Sequence, residues 1–149
     1  MAIYVLKCNK CDSEFEVYIG ISSLFPMVYQ QTIDEIKEGK YGEKIKDIFE
    51  SVPNAAVDAG SYLYKCDRCG YWEETPGLSI YAPNDPEDRE DTYVADPAHD
   101  HKYHIYKRHV HVCPKCRKRM RRISELEELN QLKCPNCGGT CKVKDILKD

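Results

Sequence analysis

Residues 113–139 read CPKCRKRMRRISELEELNQLKCPNCGG, and the two ends of this stretch frame the reading of the whole chain. Cys113-Pro114-Lys115-Cys116 and Cys134-Pro135-Asn136-Cys137 are both C-x-x-C turns, with 17 residues between Cys116 and Cys134. Such a turn places two sulfurs on one side of a tight loop, and two turns complete a tetrahedron around one ion. The separation falls inside the window of about 15–20 residues that marks a zinc site. The expectation is therefore a single four-thiolate site made by Cys113, Cys116, Cys134 and Cys137, within a C-terminal ribbon over residues 101–149.

Working outward, Cys8-Asn9-Lys10-Cys11 and Cys66-Asp67-Arg68-Cys69 repeat the turn, with 54 residues between Cys11 and Cys66. By elimination, Cys8, Cys11, Cys66 and Cys69 form the second site. A crossed partition, such as Cys66 and Cys69 with Cys113 and Cys116, would use the same eight ligands and stays open. The ninth thiol, Cys141, has no place in two tetrahedra and reads as a small strand residue beside the C-terminal site. Thiolate is a soft anionic ligand, so each set of four favours zinc, with iron as the other candidate, over calcium or magnesium. Two zinc ions per chain are expected.

Nine cysteines, eight of them in paired spacing, point to metal rather than disulfides if the thiols are kept reduced. The start of the chain, Met1-Ala2-Ile3-Tyr4-Val5-Leu6-Lys7, lacks the basic region and long apolar run of a signal peptide. No stretch approaches the roughly 20 apolar residues of a membrane span. A cytoplasmic location and no membrane partner are the expectations.

The 149 residues have a mean hydropathy of -0.63 and are 32% charged; the 42% hydrophobic fraction includes the 9 Cys and 11 Tyr. The aliphatic core is modest, so metal crosslinks are expected to carry much of the stability. Residues 2–19 alternate apolar and polar around the first knuckle, with Phe15, Val17 and Ile19 on one face: strand, knuckle, strand. Between Ser22 and Val52 the period becomes helical. Phe25, Val28, Tyr29, Thr32 and Ile36 mark one amphipathic helix, capped by Ser22 or Ser23. Tyr41, Ile45, Ile48, Phe49 and Val52 mark a second, stopped by Pro53-Asn54. The fold class expected is small α+β with two ribbon-like β lobes. Residues 1–82 form the first lobe, with the helical insertion at about 22–53. Residues 83–100, with three prolines and seven acids against one Arg, form an acidic linker or loop, and residues 101–149 form the second lobe.

Residues 1–100 carry 9 Lys/Arg against 20 Asp/Glu, and residues 101–149 carry 13 against 5. The basic stretch 102–122 holds nine cations and no acid, and Arg117, Arg119 and Arg121 are its candidates for contact with phosphates. Nucleic acid or a protein would be the partner, and a second copy of the chain (a homo-oligomer) would be another way to neutralise the stretch. The five histidines from His99 to His111 read as a polar strand face, since cysteine supplies every ligand two tetrahedra need. The tyrosines at 62, 64, 71, 81, 93, 103 and 106 read as packing rather than stacking surfaces. No phosphate-binding loop, catalytic-triad order or dinucleotide fingerprint occurs, so the chain is not expected to be an enzyme.

Cys113-Pro114-Lys115-Cys116 and Cys134-Pro135-Asn136-Cys137-Gly138-Gly139 resemble the knuckles of zinc-ribbon proteins, and Cys66-Asp67-Arg68-Cys69-Gly70-Tyr71 resembles a rubredoxin knuckle. The zinc-ribbon resemblance spans transcription factors, ribosomal proteins and polymerase subunits, and implies metal binding without a particular function; an adaptor for protein or nucleic acid is the role expected. The rubredoxin resemblance implies an iron electron carrier. Asp12 follows Cys11 and Arg117 follows Cys116, so neither proposed site has the rubredoxin glycine at both knuckles. The whole chain also resembles Firmicutes proteins with paired knuckles, which implies no activity.

Overall fold

Strand β1 (Ala2–Cys8) and strand β2 (Glu14–Ile19) form an antiparallel hairpin, turned at the first knuckle. In this computed structural model, which describes residues 1–87 and 93–148, the alternation read from the sequence holds. Leu6 and Val17 are buried, with Phe15 and Ile19 packed against them. Strand β9 (Cys141–Lys148) pairs antiparallel with the other edge of β1, setting Cys8 opposite Cys141 and Leu6 opposite Val143, with a register shift between Val5 and Leu6. The first sheet therefore has the order β2-β1-β9.

A second sheet repeats the plan. Strands β4 (Ser61–Lys65) and β5 (Trp72–Pro76) flank the second knuckle, and β8 (Arg121–Ile123), which follows the third knuckle, pairs with β4, Lys65 opposite Arg121. The order is β5-β4-β8. Leu63 of β4 and Ile123 of β8 join Leu6 and Val17 in one core, completed by Leu129 of the short helix α3 (Leu126–Leu129) and by Leu132. Both sheets belong to one unit: residues 1–20, 61–75 and 110–149.

The other unit comprises residues 21–60 and 76–109. Its helices α1 (Phe25–Lys37) and α2 (Glu43–Ser51) lie where the helical periodicity placed them, and a third, small sheet joins β3 (Ala56–Val57), β6 (Ile80–Pro83) and β7 (Tyr103–Lys107) in the order β3-β6-β7. Tyr29, Ile36, Phe49, Val57, Leu78 and Ile80 form the core. Leu24, not Ser22 or Ser23, is the N-cap of α1, although the Ser22 hydroxyl does accept the Leu24 N–H at 3.1 Å. Pro26 in the first turn gives up no intrahelical hydrogen bond, because N–H groups there have no helical partner.

The units interleave along the chain, which differs from the sequential lobes 1–82 and 101–149 expected from the knuckle spacing. Of residues 83–100, expected as an acidic linker or loop, the described ones belong to the second unit rather than joining two lobes. Residues 88–92 lie outside the described residues, but Val94 and Pro97 are buried within the second unit and the Tyr93 ring meets Tyr29 edge-on at 5.9 Å. All nine cysteines fall in the first unit. Charge divides along the same lines but less steeply than the sequence halves suggest: 14 Lys/Arg against 11 Asp/Glu in the first unit, and 8 against 14 in the second. No helix among the described residues is long and apolar enough to cross a membrane.

Candidate metal centres

All four knuckles share two backbone features. The N–H of the first cysteine donates to the carbonyl five residues on: Cys8 to Ser13, Cys66 to Tyr71, Cys113 to Lys118, and Cys134 to Gly139, at 2.7–2.9 Å. The residue after the second cysteine has a left-handed backbone in every case, with φ of 60° at Asp12, 79° at Gly70, 61° at Arg117 and 77° at Gly138. Glycine adopts this conformation without a steric penalty, whereas a residue with a Cβ is strained by roughly 1–2 kcal/mol. The two knuckles that lack the rubredoxin glycine therefore adopt the same turn under strain.

These turns bring eight sulfurs together in two groups, Cys8, Cys11, Cys134 and Cys137 in one, Cys66, Cys69, Cys113 and Cys116 in the other. The eight clustered cysteines are those the sequence offered as ligands, but the grouping is nested rather than sequential, the crossed partition that the spacing left open. The expected site of Cys113, Cys116, Cys134 and Cys137 does not form, nor does the one pairing Cys8 and Cys11 with Cys66 and Cys69. The reason lies in the strands. Because β9 lies along β1, the fourth knuckle arrives beside the first; because β8 lies along β4, the third arrives beside the second. The 17 residues between Cys116 and Cys134 are spent on β8, α3 and the buried Leu129 and Leu132.

Sulfurs from partner knuckles approach to 3.4 Å (Cys8–Cys137), 3.7 Å (Cys11–Cys134), 3.2 Å (Cys66–Cys116) and 3.7 Å (Cys69–Cys113). A tetrahedral ion with metal–sulfur bonds of about 2.3 Å sets its ligands about 3.8 Å apart, so both groups fit one such ion with slight expansion. They are far beyond a disulfide bond of about 2.05 Å.

The local field divides each group into acidic and reluctant thiols. The backbone N–H of Cys69 and the adjacent Cys116 sulfur bring Cys66 down to about 6. Although the Lys118 backbone N–H opposes it, the proton shared with Cys66, together with burial, pushes Cys116 up to about 11. In the other group, hydrogen bonding to Ser13 brings Cys11 down to about 6, and the backbone N–H groups of Cys11 and Lys10 lower Cys8. Cys137, despite the Gly139 N–H, is held up to about 12 by sharing with Cys8 and by burial. Four sulfurs this close repel one another when ionised, and a divalent cation among them removes that repulsion and releases the remaining protons.

Further contacts lock each pair of knuckles. Asn9 N–H donates to the Thr140 carbonyl at 3.0 Å, and Asn136 Nδ2 donates at 3.1 Å to the Ser13 hydroxyl that contacts Cys11. Gly139 has little room for a side chain: a Cβ there would lie 3.1 Å from the Cys8 sulfur and 3.3 Å from Asn9 Oδ1, so the neighbours would have to give way. In the other pair, Arg121 after the third knuckle holds Asp67 of the second through two bonds at 3.0 and 3.1 Å. The second glycine of Cys134-Pro135-Asn136-Cys137-Gly138-Gly139 was the available sequence signal for close approach; Ser13 and Asn136 carried none.

Cys141 is the first residue of β9 and fully buried beside the Cys8 group, where desolvation pushes its thiol up to about 11. No histidine joins a metal-ligating group among the described residues. His99 Nδ1 lies 2.9 Å from Asp96, His104 Nδ1 lies 2.7 Å from Asn84, and His111 Nε2 lies 2.5 Å from Glu73. The basic stretch is partly consumed within the chain. Arg121 holds Asp67 and Glu128, and Arg122 bonds the Tyr64 hydroxyl at 2.7 Å while its guanidinium lies 3.7 Å from the Tyr62 ring centroid. Arg117, Lys118 and Arg119 are exposed and form no ion pair among the described residues.

No protein-family model, curated protein or solved structure matches this chain with significant similarity.

Proposed function

We propose that this is a zinc-binding protein whose two four-cysteine sites are structural, each a zinc ribbon, and that it acts by binding, as an adaptor for nucleic acid or protein, rather than as an enzyme. The observation that carries the reading is the gathering of all eight C-x-x-C sulfurs into two groups of four, within each of which the sulfurs lie within 4.8 Å of one another. Four protein ligands leave no open position for a substrate, which is the mark of a structural rather than a catalytic zinc. The exposed run Arg117, Lys118, Arg119 favours nucleic acid as the partner.

Metal analysis tests the first part: two zinc ions per colourless chain are expected. Oligonucleotide binding tests the second. Affinity should fall with added salt, and R117Q with R119Q should weaken it and flatten the salt dependence, whereas R121Q should do less because Arg121 already serves Asp67 and Glu128. Absence of binding at low salt would remove nucleic acid from the reading.

An iron electron carrier is the second reading, and the exposure of Cys11 and Cys137 favours it, since electron transfer needs a ligand near the surface. A red protein from the native host would establish it.

A further inference from the structure

Within the first unit, a cleft of about 350 Å³ opens between the second and fourth knuckles, one from each metal site. Its volume lies at the lower end of the range for small-ligand pockets, about 300–1,000 Å³. Tyr71 and Trp72 supply aromatic surface, Pro135 adds apolar surface, and Lys115 and Lys133 supply the charge. No carboxylate lines it.

The walls are held in place. Trp72 is anchored by its indole N–H, which donates to the Lys133 carbonyl at 2.7 Å, and by an edge-on contact with Phe15 at 6.1 Å. The Lys133 stem runs across two glycines, its Cδ 3.5 Å from where a Gly70 Cβ would stand and its Cε 3.8 Å from that of Gly138. Lys115 Nζ lies 4.9 Å from the centroid of the Tyr71 ring. Among the described residues, neither ammonium group has a carboxylate partner.

Cys69 and Cys134, one from each four-cysteine group, also line the cleft, but fixed aromatic rings beside two lysines that have no carboxylate partner match a ligand that is planar at one end and anionic at the other. We propose that this cleft binds a nucleotide unit, the base against Tyr71 and Trp72 and the phosphate on Lys115 and Lys133. The inference rests on the binding role proposed above and gives that role its ligand class. The unit can be a free mononucleotide or one residue of a single strand.

Trp72 is the chain's single tryptophan, so ligand-induced changes in its fluorescence in the folded protein report on the surroundings of this cleft. The full-length, zinc-loaded protein should be titrated separately with AMP, adenosine, inorganic phosphate and a short single-stranded oligonucleotide. Saturable quenching by AMP and the oligonucleotide is expected, with adenosine and phosphate each roughly tenfold weaker or more. A strand that binds more tightly than AMP identifies single-stranded nucleic acid as the source, and equal affinities identify the free nucleotide.

K115M and K133M keep the aliphatic stems and remove only the charge. Together they should weaken binding by roughly tenfold or more while metal content and circular dichroism stay unchanged. Silence of Trp72 toward both nucleotides in protein carrying two metal ions would overturn the proposal and leave the two lysines to offset the charge of the four-thiolate sites. So would unaltered affinity in the double variant. Salt-sensitive oligonucleotide binding with no Trp72 response would likewise overturn it, while the reading through Arg117 and Arg119 would stand.

Discussion

The two four-cysteine sites share one plan and differ in shelter and in reach. Each places one knuckle inside a hairpin and the other just before a strand that pairs with the hairpin's first strand, β9 on β1 or β8 on β4. In the Cys66 site two cysteines are buried and two half-buried, whereas in the Cys8 site Cys11 and Cys137 are exposed. The knuckles of the Cys66 site stand 43 residues apart in the chain, those of the Cys8 site 122. Closing the longer loop costs about 1 kcal/mol more, since loop entropy grows only with the logarithm of length. Chain separation is therefore a weak barrier to nesting, and paired strands overcome it.

The largest effect to expect is from metal removal. Each site contributes on the order of 10 kcal/mol of folding free energy at neutral pH if zinc fills it. A strong chelator should unfold the cysteine-bearing unit, read by Trp72 fluorescence, and leave helical circular dichroism from α1 and α2, whose unit contains no cysteine. Unchanged spectra would remove the structural role of the metal.

Paired substitutions address the partition directly. C11S with C137S should leave one zinc per chain, and C11S with C69S none, because the second pair damages both sites. One retained zinc in the second variant would restore the sequential pairing. In the unaltered chain, a competing chelator should strip the exposed Cys8 site before the Cys66 site, giving two phases of release.

A smaller change separates the sites by geometry alone. G139A puts a methyl group 3.1 Å from the Cys8 sulfur and should lower zinc affinity there by about tenfold, a disturbance of the kind seen when groups supporting the ligands are altered, with the Cys66 site unaffected. Equal loss at both sites would mean that the two are coupled. Smallest is the strain at Arg117: R117G should stabilise the chain by about 1 kcal/mol in thermal or denaturant unfolding, and G70A should destabilise it by a similar amount. D12G should gain less than R117G, since aspartate tolerates the left-handed region better than most residues.

The helices were legible because their apolar spacing is local, and Tyr29, Thr32, Ile36 and Phe49 are buried as that spacing requires. β1 and β2 were legible for the same reason, through Phe15, Val17 and Ile19. β9 was harder to read. Cys141 and Val143 alternate with Lys142 and Lys144, but the register shift opposite Val5 and Leu6 interrupts the pattern before Ile146 and Leu147. The 17-residue spacing from Cys116 to Cys134 then suggested a local site, since no nearby signal marked Cys134 as bound for the N-terminal hairpin.

What the sequence determined by itself is local: eight cysteines in four C-x-x-C turns, two of them followed by Asp12 and Arg117 instead of glycine, and a helical pair between the first two. These follow from interactions over fewer than ten residues, where spacing and side-chain type suffice. Only the tertiary structure decided which turn meets which. That choice lies in the pairing of β9 with β1 and β8 with β4, and in the core of Leu6, Leu63, Leu129 and Leu132 beneath them. Strand partners are selected by burial and register summed over distant segments, and a spacing rule between neighbouring cysteines carries neither quantity.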